Sequence, residues 1–280
     1  MAHARKHPRA LAVLLAVFPL LPVVAFAQEK KEFRYTVGPQ AVISITNYYG
    51  PITVKPSGDG QVVVTTVSYS EAVSFESEQH GNRIDLHSLS SRQGNGLVDY
   101  TVLVPGDALV SLRSSNGTLH AQGLRGDVIL QAETATVEVS DISDAHLHVN
   151  TVTGPIHLTD IRNSHLDIHS MSGDVKLRNV TGSSVVVNSG HGRINYDGDP
   201  GSAGEYRLTS HSGDLEISIP NSSPVEIRSH SMNGESDENV PKRAGASAMS
   251  SGNPFLKPGI TGASHFVLRS FKGKIHIKRP

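Results

Sequence analysis

The 280-residue sequence has no cysteine and no tryptophan, and aromatic residues make up only 5% of it. Without a thiol, a disulfide framework, a cysteine nucleophile, thiolate-bound zinc and a lipidated N-terminal cysteine are all excluded. Few aromatic rings argue against a sugar-stacking lectin, although Tyr48, Tyr49, Tyr196 and Tyr206 are available for stacking. An excess of one charge is lacking too, with 25 Lys and Arg against 26 Asp and Glu. Phosphate backbones are held by concentrated cations, so this balance argues against nucleic acid as the main partner. Sustained helical spacing of apolar residues, a Gly-x-Ser-x-Gly elbow, a phosphate loop and a His-Glu-x-x-His pair are also missing. Nothing in the sequence calls for a cofactor.

The single long apolar run lies at the start. Arg5, Lys6 and Arg9 precede Leu11 to Val24, and Ala25-Phe26-Ala27 supplies the small-x-small pattern of a signal-peptidase site. The run has 14 residues and is interrupted by Pro19 and Pro22, whereas a spanning helix needs about 20. Cleavage after Ala27 removes three cations and leaves 22 basic against 26 acidic residues, a formal charge of −4. The expectation is an exported protein, periplasmic, surface-associated or secreted, with no transmembrane segment after cleavage.

The rest of the chain repeats. A glycine framed by alternating apolar residues recurs at Gly50, Gly117, Gly154, Gly173, Gly192, Gly213 and Gly273, with Ala135 in the same place and a weaker copy at Gly234. From Gly117 to Gly234 the steps are 18, 19, 19, 19, 21 and 21 residues. Two and four places after the glycine stand pairs such as Ile156/Leu158 and Val175/Leu177, and seven and five places before it pairs such as Leu147/Val149 and Leu166/Ile168. Each coil therefore holds two short strands of period two on either side of a corner. Strands this short cannot bury their inner faces alone, so coils must stack. The glycine answers either to a positive φ or to a close backbone approach. Three places before it stands a small polar residue, Asn47, Ser114, Thr151, Ser170, Ser189, Ser210, Ser231 or Ser270, suited to bonding turn amides or the next rung.

The fold class predicted is all-β, a parallel β-solenoid (β-helix-like) with two short strands per coil of about 19–21 residues and a strand-rich N-terminal cap. The organisation reads as a signal peptide at 1–27, a β cap with the first coil at 28–104, solenoid repeats at 105–234, a flexible Gly/Ser/Pro-rich loop at 235–262 and a final coil at 263–280. Within the cap, residues 56–61 read as a hairpin turn between Ile52–Val54 and Val62–Val64, followed by strands around Ser68–Phe75, Ile84–His87 and Tyr100–Val104.

Three outward groupings could carry chemistry. One column reads His120, Glu138, His157, Lys176, Asn195 and Glu216, with His276 at its end, and is the candidate binding face. Beside it Asp174, Arg193 and Asp214 alternate in sign, a glycan-binding row or a carboxylate pair for glycoside chemistry, or simply a salt-laced surface. Histidine is abundant, with 15 in the chain, and His146, His165 and His169 are the candidate metal ligands. His146 and His165 share a column on adjacent rungs, and His169 shares one with His230 three coils away.

The leader, NYYGPITV, DYTVLVP from Asp99 to Pro105, LRGDVIL and the serial S-x-x-G-x-I-x-I units together resemble the bacterial "putative adhesin" family of β-strand-repeat domains of unknown function, over residues 35–280. The resemblance implies a cell-envelope role and supplies no catalytic or binding residues. The function expected is a non-enzymatic envelope scaffold that presents a polar face to an envelope polymer, a surface or a protein partner. The alternatives are a polysaccharide-active enzyme on the same fold and a His-based metal binder. The leader makes the first testable prediction: Edman sequencing of the exported chain should begin at Gln28, and a start at Met1 would mean an uncleaved anchor.

Overall fold

Alternation of apolar and polar residues sets the architecture. In the computed structural model, which describes residues 28–58, 60–69, 73–90, 96–233, 236–238 and 262–280, every second residue of each coil turns inward. The chain opens with β1 (Glu29–Thr36), β2 (Val42–Tyr49), β3 (Ile52–Pro56), β4 (Gln61–Ser68), β5 (Val73–His80), β6 (Arg83–Ser90) and β7 (Val98–Val104). Six coils follow as pairs of strands: β8 (Leu109–Asn116) with β9 (Thr118–Gln122), β10 (Val128–Ala132) with β11 (Thr136–Ser140), and β12 (His146–Thr151) with β13 (Ile156–Ile161). Next come β14 (His165–Ser170) with β15 (Val175–Val180), β16 (Ser184–Ser189) with β17 (Ile194–Asp197), and β18 (Glu205–Ser210) with β19 (Leu215–Ser218). The chain closes with β20 (Val225–Ser231), β21 (Ser236–Glu238), β22 (Ser264–Ser270) and β23 (Ile275–Lys278).

These strands form two sheets. One has 12 strands in the order β1, β4, β7, β3, β9, β11, β13, β15, β17, β19, β23, β21; the other has 11 in the order β20, β22, β18, β16, β14, β12, β10, β8, β2, β6, β5. The stacked coils pair in parallel, and antiparallel pairing is confined to the cap, at β1 with β4, β4 with β7 and β5 with β6. The fold is thus an all-β parallel solenoid with an N-terminal cap. The inward pairs make up its core: Leu147, Val149, Ile156, Leu158, Leu166, Ile168, Val175 and Leu177 are each at most 2% exposed. Each such side chain contributes about 1.5–3 kcal/mol by leaving water.

The corner glycines answer to close approach more than to backbone conformation. Among the described corner glycines, Gly50 and Gly117 alone have positive φ, at 114° and 131°. A Cβ on Gly173 would collide with the carbonyl of Gly154, and one on Gly192 with that of Gly173. Ala135 stands above Gly117, whose carbonyl accepts the Thr136 N–H at 3.0 Å. Apart from the partly buried Ser231, the small polar column is buried behind these corners. Ser170 Oγ donates to Gly173 O at 2.7 Å and Ser189 Oγ to Gly192 O at 2.9 Å, while Ser210 Oγ accepts the Gly213 N–H at 2.9 Å.

The structure corrects three expectations. Residues 56–61 do not join a hairpin, because β7 lies between β3 and β4, parallel to the first and antiparallel to the second. Its inward Val98, Tyr100, Val102 and Val104 complete the core there. The stretch expected as one strand at Ser68–Phe75 is divided, with Ser68 ending β4 in one sheet and Phe75 within β5 in the other. The last coil does not follow the preceding one in space. β22 pairs with both β18 and β20, so the C-terminal coil is intercalated between its two predecessors. His169 and His230 are consequently four rungs apart in register, with Asn188, Thr209 and Arg269 between them. Of the loop expected at 235–262, Ser236–Glu238 form β21 beside β23. The other residues of that loop except Gly262, and the leader at 1–27, lie outside the described residues.

Intercalation builds an aromatic cluster. Tyr206 and Phe266 stack at 4.4 Å, and Tyr196 meets them edge-on at 5.5 and 5.4 Å. The Tyr196 hydroxyl donates to Val180 O at 2.9 Å and the Tyr206 hydroxyl to Pro200 O at 2.8 Å, so neither phenol is buried unpaired. Burial raises both pKa values above the ordinary phenol value, that of Tyr206 to about 12. A raised folded-state pKa means that the contribution is whole below about pH 10 and is lost as pH rises through about 12. In an alkaline titration, the phenolate absorbance removed by the Tyr196→Phe/Tyr206→Phe double substitution should appear together with loss of β circular dichroism. Ionisation of these two groups near pH 10 in a still-folded chain would contradict the burial argument.

Candidate functional site

The outward column predicted on the 12-stranded sheet is continuous in register. His120 pairs with Glu138, Glu138 with His157, His157 with Lys176, Lys176 with Asn195 and Asn195 with Glu216. At about 4.8 Å per rung this row is about 24 Å long. His120 Nδ1 lies 3.5 Å from Glu138 Oε2, Asn195 Nδ2 donates to Glu216 Oε2 at 3.2 Å, and Arg193 Nε stands 3.8 Å from Glu216 Oε1. His157 and Lys176, in the middle of the row, have no side-chain partner among the described residues. Half-exposed pairs of this kind contribute at most about 1 kcal/mol each, so the row is available to a ligand at small cost.

The adjoining acidic row is committed to the fold. Asp174 Oδ1 accepts the Arg193 N–H and Asp214 Oδ1 accepts the Lys274 N–H, both at 2.8 Å. Each carboxylate therefore caps the backbone of the next rung. Asp174 and Asp214 are two rungs apart, about 10 Å by strand spacing, at the wide limit of the separations used in glycoside hydrolysis, with Arg193 on the rung between them. With His191, Arg193 and Ser212 they border a shallow hollow of about 260 Å³, in which His191 Nδ1 and Ser212 Oγ are 2.7 Å apart.

The candidate metal ligands lie on the other sheet and do not form one set. His146 and His165 are register partners with ring centroids 5.0 Å apart, and His146 Nδ1 is 3.0 Å from Asp127 Oδ1. His169 is four residues along β14 from His165, about 13 Å away, and its Nε2 stands 3.1 Å from Asp167 Oδ1. Asp167 also meets His148 Nδ1 at 3.3 Å, an arrangement of one carboxylate between two imidazoles that the column arithmetic missed. Among the described residues no three His, Asp or Glu groups are placed to hold a metal ion.

Sequence reasoning also missed a hollow of about 540 Å³ at the corner of the 11-stranded sheet, bordered by Tyr48, Arg113, Gln131, Glu133 and Asn150. It combines an outward strand column with corner positions, and these belong to different columns of the repeat. The signal that marks it is the coil where Ser-x-x-Gly gives way to Ala132-x-x-Ala135.

No curated protein matches the chain significantly. Among solved structures it is similar to "a putative cell adhesion protein" from Clostridium sporogenes, at 9% identity over 91% of this chain and 100% of that one, with a TM-score of 0.34. It is also similar to "a putative adhesin" from Bacteroides fragilis, at 13% identity over 91% and 99% of the two chains and a TM-score of 0.44. A third similar structure is a "putative lipid binding protein" from Parabacteroides distasonis, at 12% identity over 88% and 96% and a TM-score of 0.45. The family model described as Toastrack DUF4097 matches residues 41–253, well over half of the sequence, and the chain belongs to that family.

Proposed function

We propose that this protein is an exported, non-enzymatic scaffold of the cell envelope that binds an envelope polymer, surface or protein partner through the outward row His120, Glu138, His157, Lys176, Asn195 and Glu216. The observation that carries this reading is the unbroken register of that row, one polar side chain per rung on a stack of parallel strands. Repeated sites at fixed spacing suit multivalent attachment, in which individually weak contacts add through effective concentration. Mixed charge along the row favours a partner of alternating polarity over a polyanion or polycation. The commitment of Asp174 and Asp214 to backbone amides supports binding over hydrolysis. The leader at 1–27 supports export.

Co-sedimentation of the purified chain with isolated cell envelopes tests this reading. The wild type should sediment with the envelope and release no reducing sugar ends. Glu138→Ala/Lys176→Ala/Glu216→Ala should weaken binding by at least about tenfold, with melting shifted by little because exposed substitutions cost about 0.5 kcal/mol or less. Binding indifferent to the triple substitution, or release of reducing ends lost on Asp174→Asn, would contradict it.

A further inference from the structure

The hollow at the corner of the 11-stranded sheet lies where the repeat is broken. Its floor is the buried polar column at three successive rungs, Asn47, Ser114 and Ala132. The polar atoms of this floor are already used. Asn47 Nδ2 donates to Val98 O at 2.7 Å and to Gly50 O at 3.2 Å, its Oδ1 accepts Ser88 Oγ at 2.6 Å, and Ser114 Oγ donates to Asn116 O at 3.1 Å. At the third rung alanine replaces the serine, so the floor there is apolar and small.

Two rows of side chains rise on either side. On the strand side Thr46, Arg113, Gln131 and Asn150 follow one another in register, one per rung over four rungs, about 14 Å. Arg113 Nε and Nη2 both donate to Gln131 Oε1, at 2.9 and 2.6 Å, which fixes the two planes together and leaves the Gln131 amide N–H groups without an acceptor among the described residues. On the corner side stand Tyr48, 50% exposed, and Glu133. The Tyr48 hydroxyl, the Glu133 carboxylate and the Asn150 carboxamide have no hydrogen-bond or ion-pair partner among the described residues. Asp174, Asp214 and Asp167, elsewhere on the stack, are all engaged.

We infer that this groove is a saccharide-binding site for an uncharged stretch of oligosaccharide, with Tyr48 as the ring against which a sugar face packs and with Gln131, Glu133 and Asn150 bonding its hydroxyls. Vicinal hydroxyls both donate and accept, and a carboxylate beside two carboxamides offers both complements in fixed planes. A sugar's C–H face packs on an amphipathic phenol ring. The volume falls within the range of about 300–1,000 Å³ usual for small-ligand sites. Arg113 and Glu133 cancel in charge, so neither an acidic nor a basic polymer is favoured. The four-rung length selects a short oligosaccharide over a single sugar. This groove lies on the other sheet from the row invoked for envelope attachment, and the two sites stand or fall separately.

The test is saturation-transfer NMR and titration of the purified chain with cellohexaose, chitohexaose and maltohexaose, with hexagalacturonate as the acidic comparison. At least one neutral hexaose should bind with a Kd of about 1 mM or tighter. Tyr48→Ala and Asn150→Ala should each weaken it by about tenfold or more without moving the melting temperature. Lys278→Ala, an exposed position on the opposite sheet outside both sites, should leave it unchanged, and Glu133→Gln should narrow any preference over the acidic hexaose. Absence of saturation transfer from every neutral hexaose at about 10 mM overturns the inference. So does affinity indifferent to Tyr48→Ala and Asn150→Ala, or tighter binding of hexagalacturonate.

Discussion

Everything in this molecule depends on how closely one corner can sit on the next. The carbonyl of Gly173 occupies the space in which a Cβ of Gly192 would stand, and Gly154 and Gly173 are related in the same way one rung away. That contact keeps consecutive corners in register, which in turn keeps the strands on both sides at hydrogen-bonding distance. Behind the corner, hydroxyls such as those of Ser170 and Ser189 satisfy the glycine carbonyl of their own turn. With backbone spacing set at the corner and the polar groups of most rungs paired there, Thr151 Oγ1 and Ser270 Oγ being the buried exceptions, the inward positions need only be apolar and of suitable volume. The outward positions are left free to vary.

That freedom explains why two different surfaces arise from one repeat. On the 12-stranded sheet the outward places hold a row of alternating charge and amide groups. On the other sheet they hold histidines paired with Asp127 and Asp167 in the middle of the stack, and the Arg113–Gln131 pair nearer the cap. The antiparallel strands β1, β4 and β5 complete the cap end, where Phe33 stacks on Phe75 at 4.7 Å. A cap of this kind prevents the first rung from offering a bare edge to another chain.

Much of this was legible in the residue order. The inward pairs, the polar column and the row from His120 to Glu216 follow from period and alternation alone, because in a regular stack a place in the sequence is a place in space. The exceptions come where that equivalence fails. Intercalation of the C-terminal coil could not be read from spacing, since every rung carries the same pairing signals. A physical trace of it was nevertheless present. The β20 strand puts Ser229 opposite Leu268, and its Val225 and Ile227 are only partly buried, as suits a terminal rung covered on one side. Phe266 instead needs the aromatic face of Tyr206. The cap hairpin failed for a similar reason, because Gly and Asp at 58–60 mark a turn without saying which strand lies beside it. The corner hollow went unread because its two rows belong to different columns of the repeat, and only the Ala132-x-x-Ala135 coil hints at it.

The most direct test of the account is a comparison of two glycine-to-alanine changes by thermal melting. A Cβ at position 192 meets the Gly173 backbone, whereas one at Gly106 meets nothing. Gly192→Ala should cost about 1–3 kcal/mol and lower Tm by about 2–12 °C. Gly106→Ala should leave Tm within about 2 °C of the wild type. Equal melting temperatures for the two variants would contradict the claim that close approach of backbone at the corner holds the stack in register.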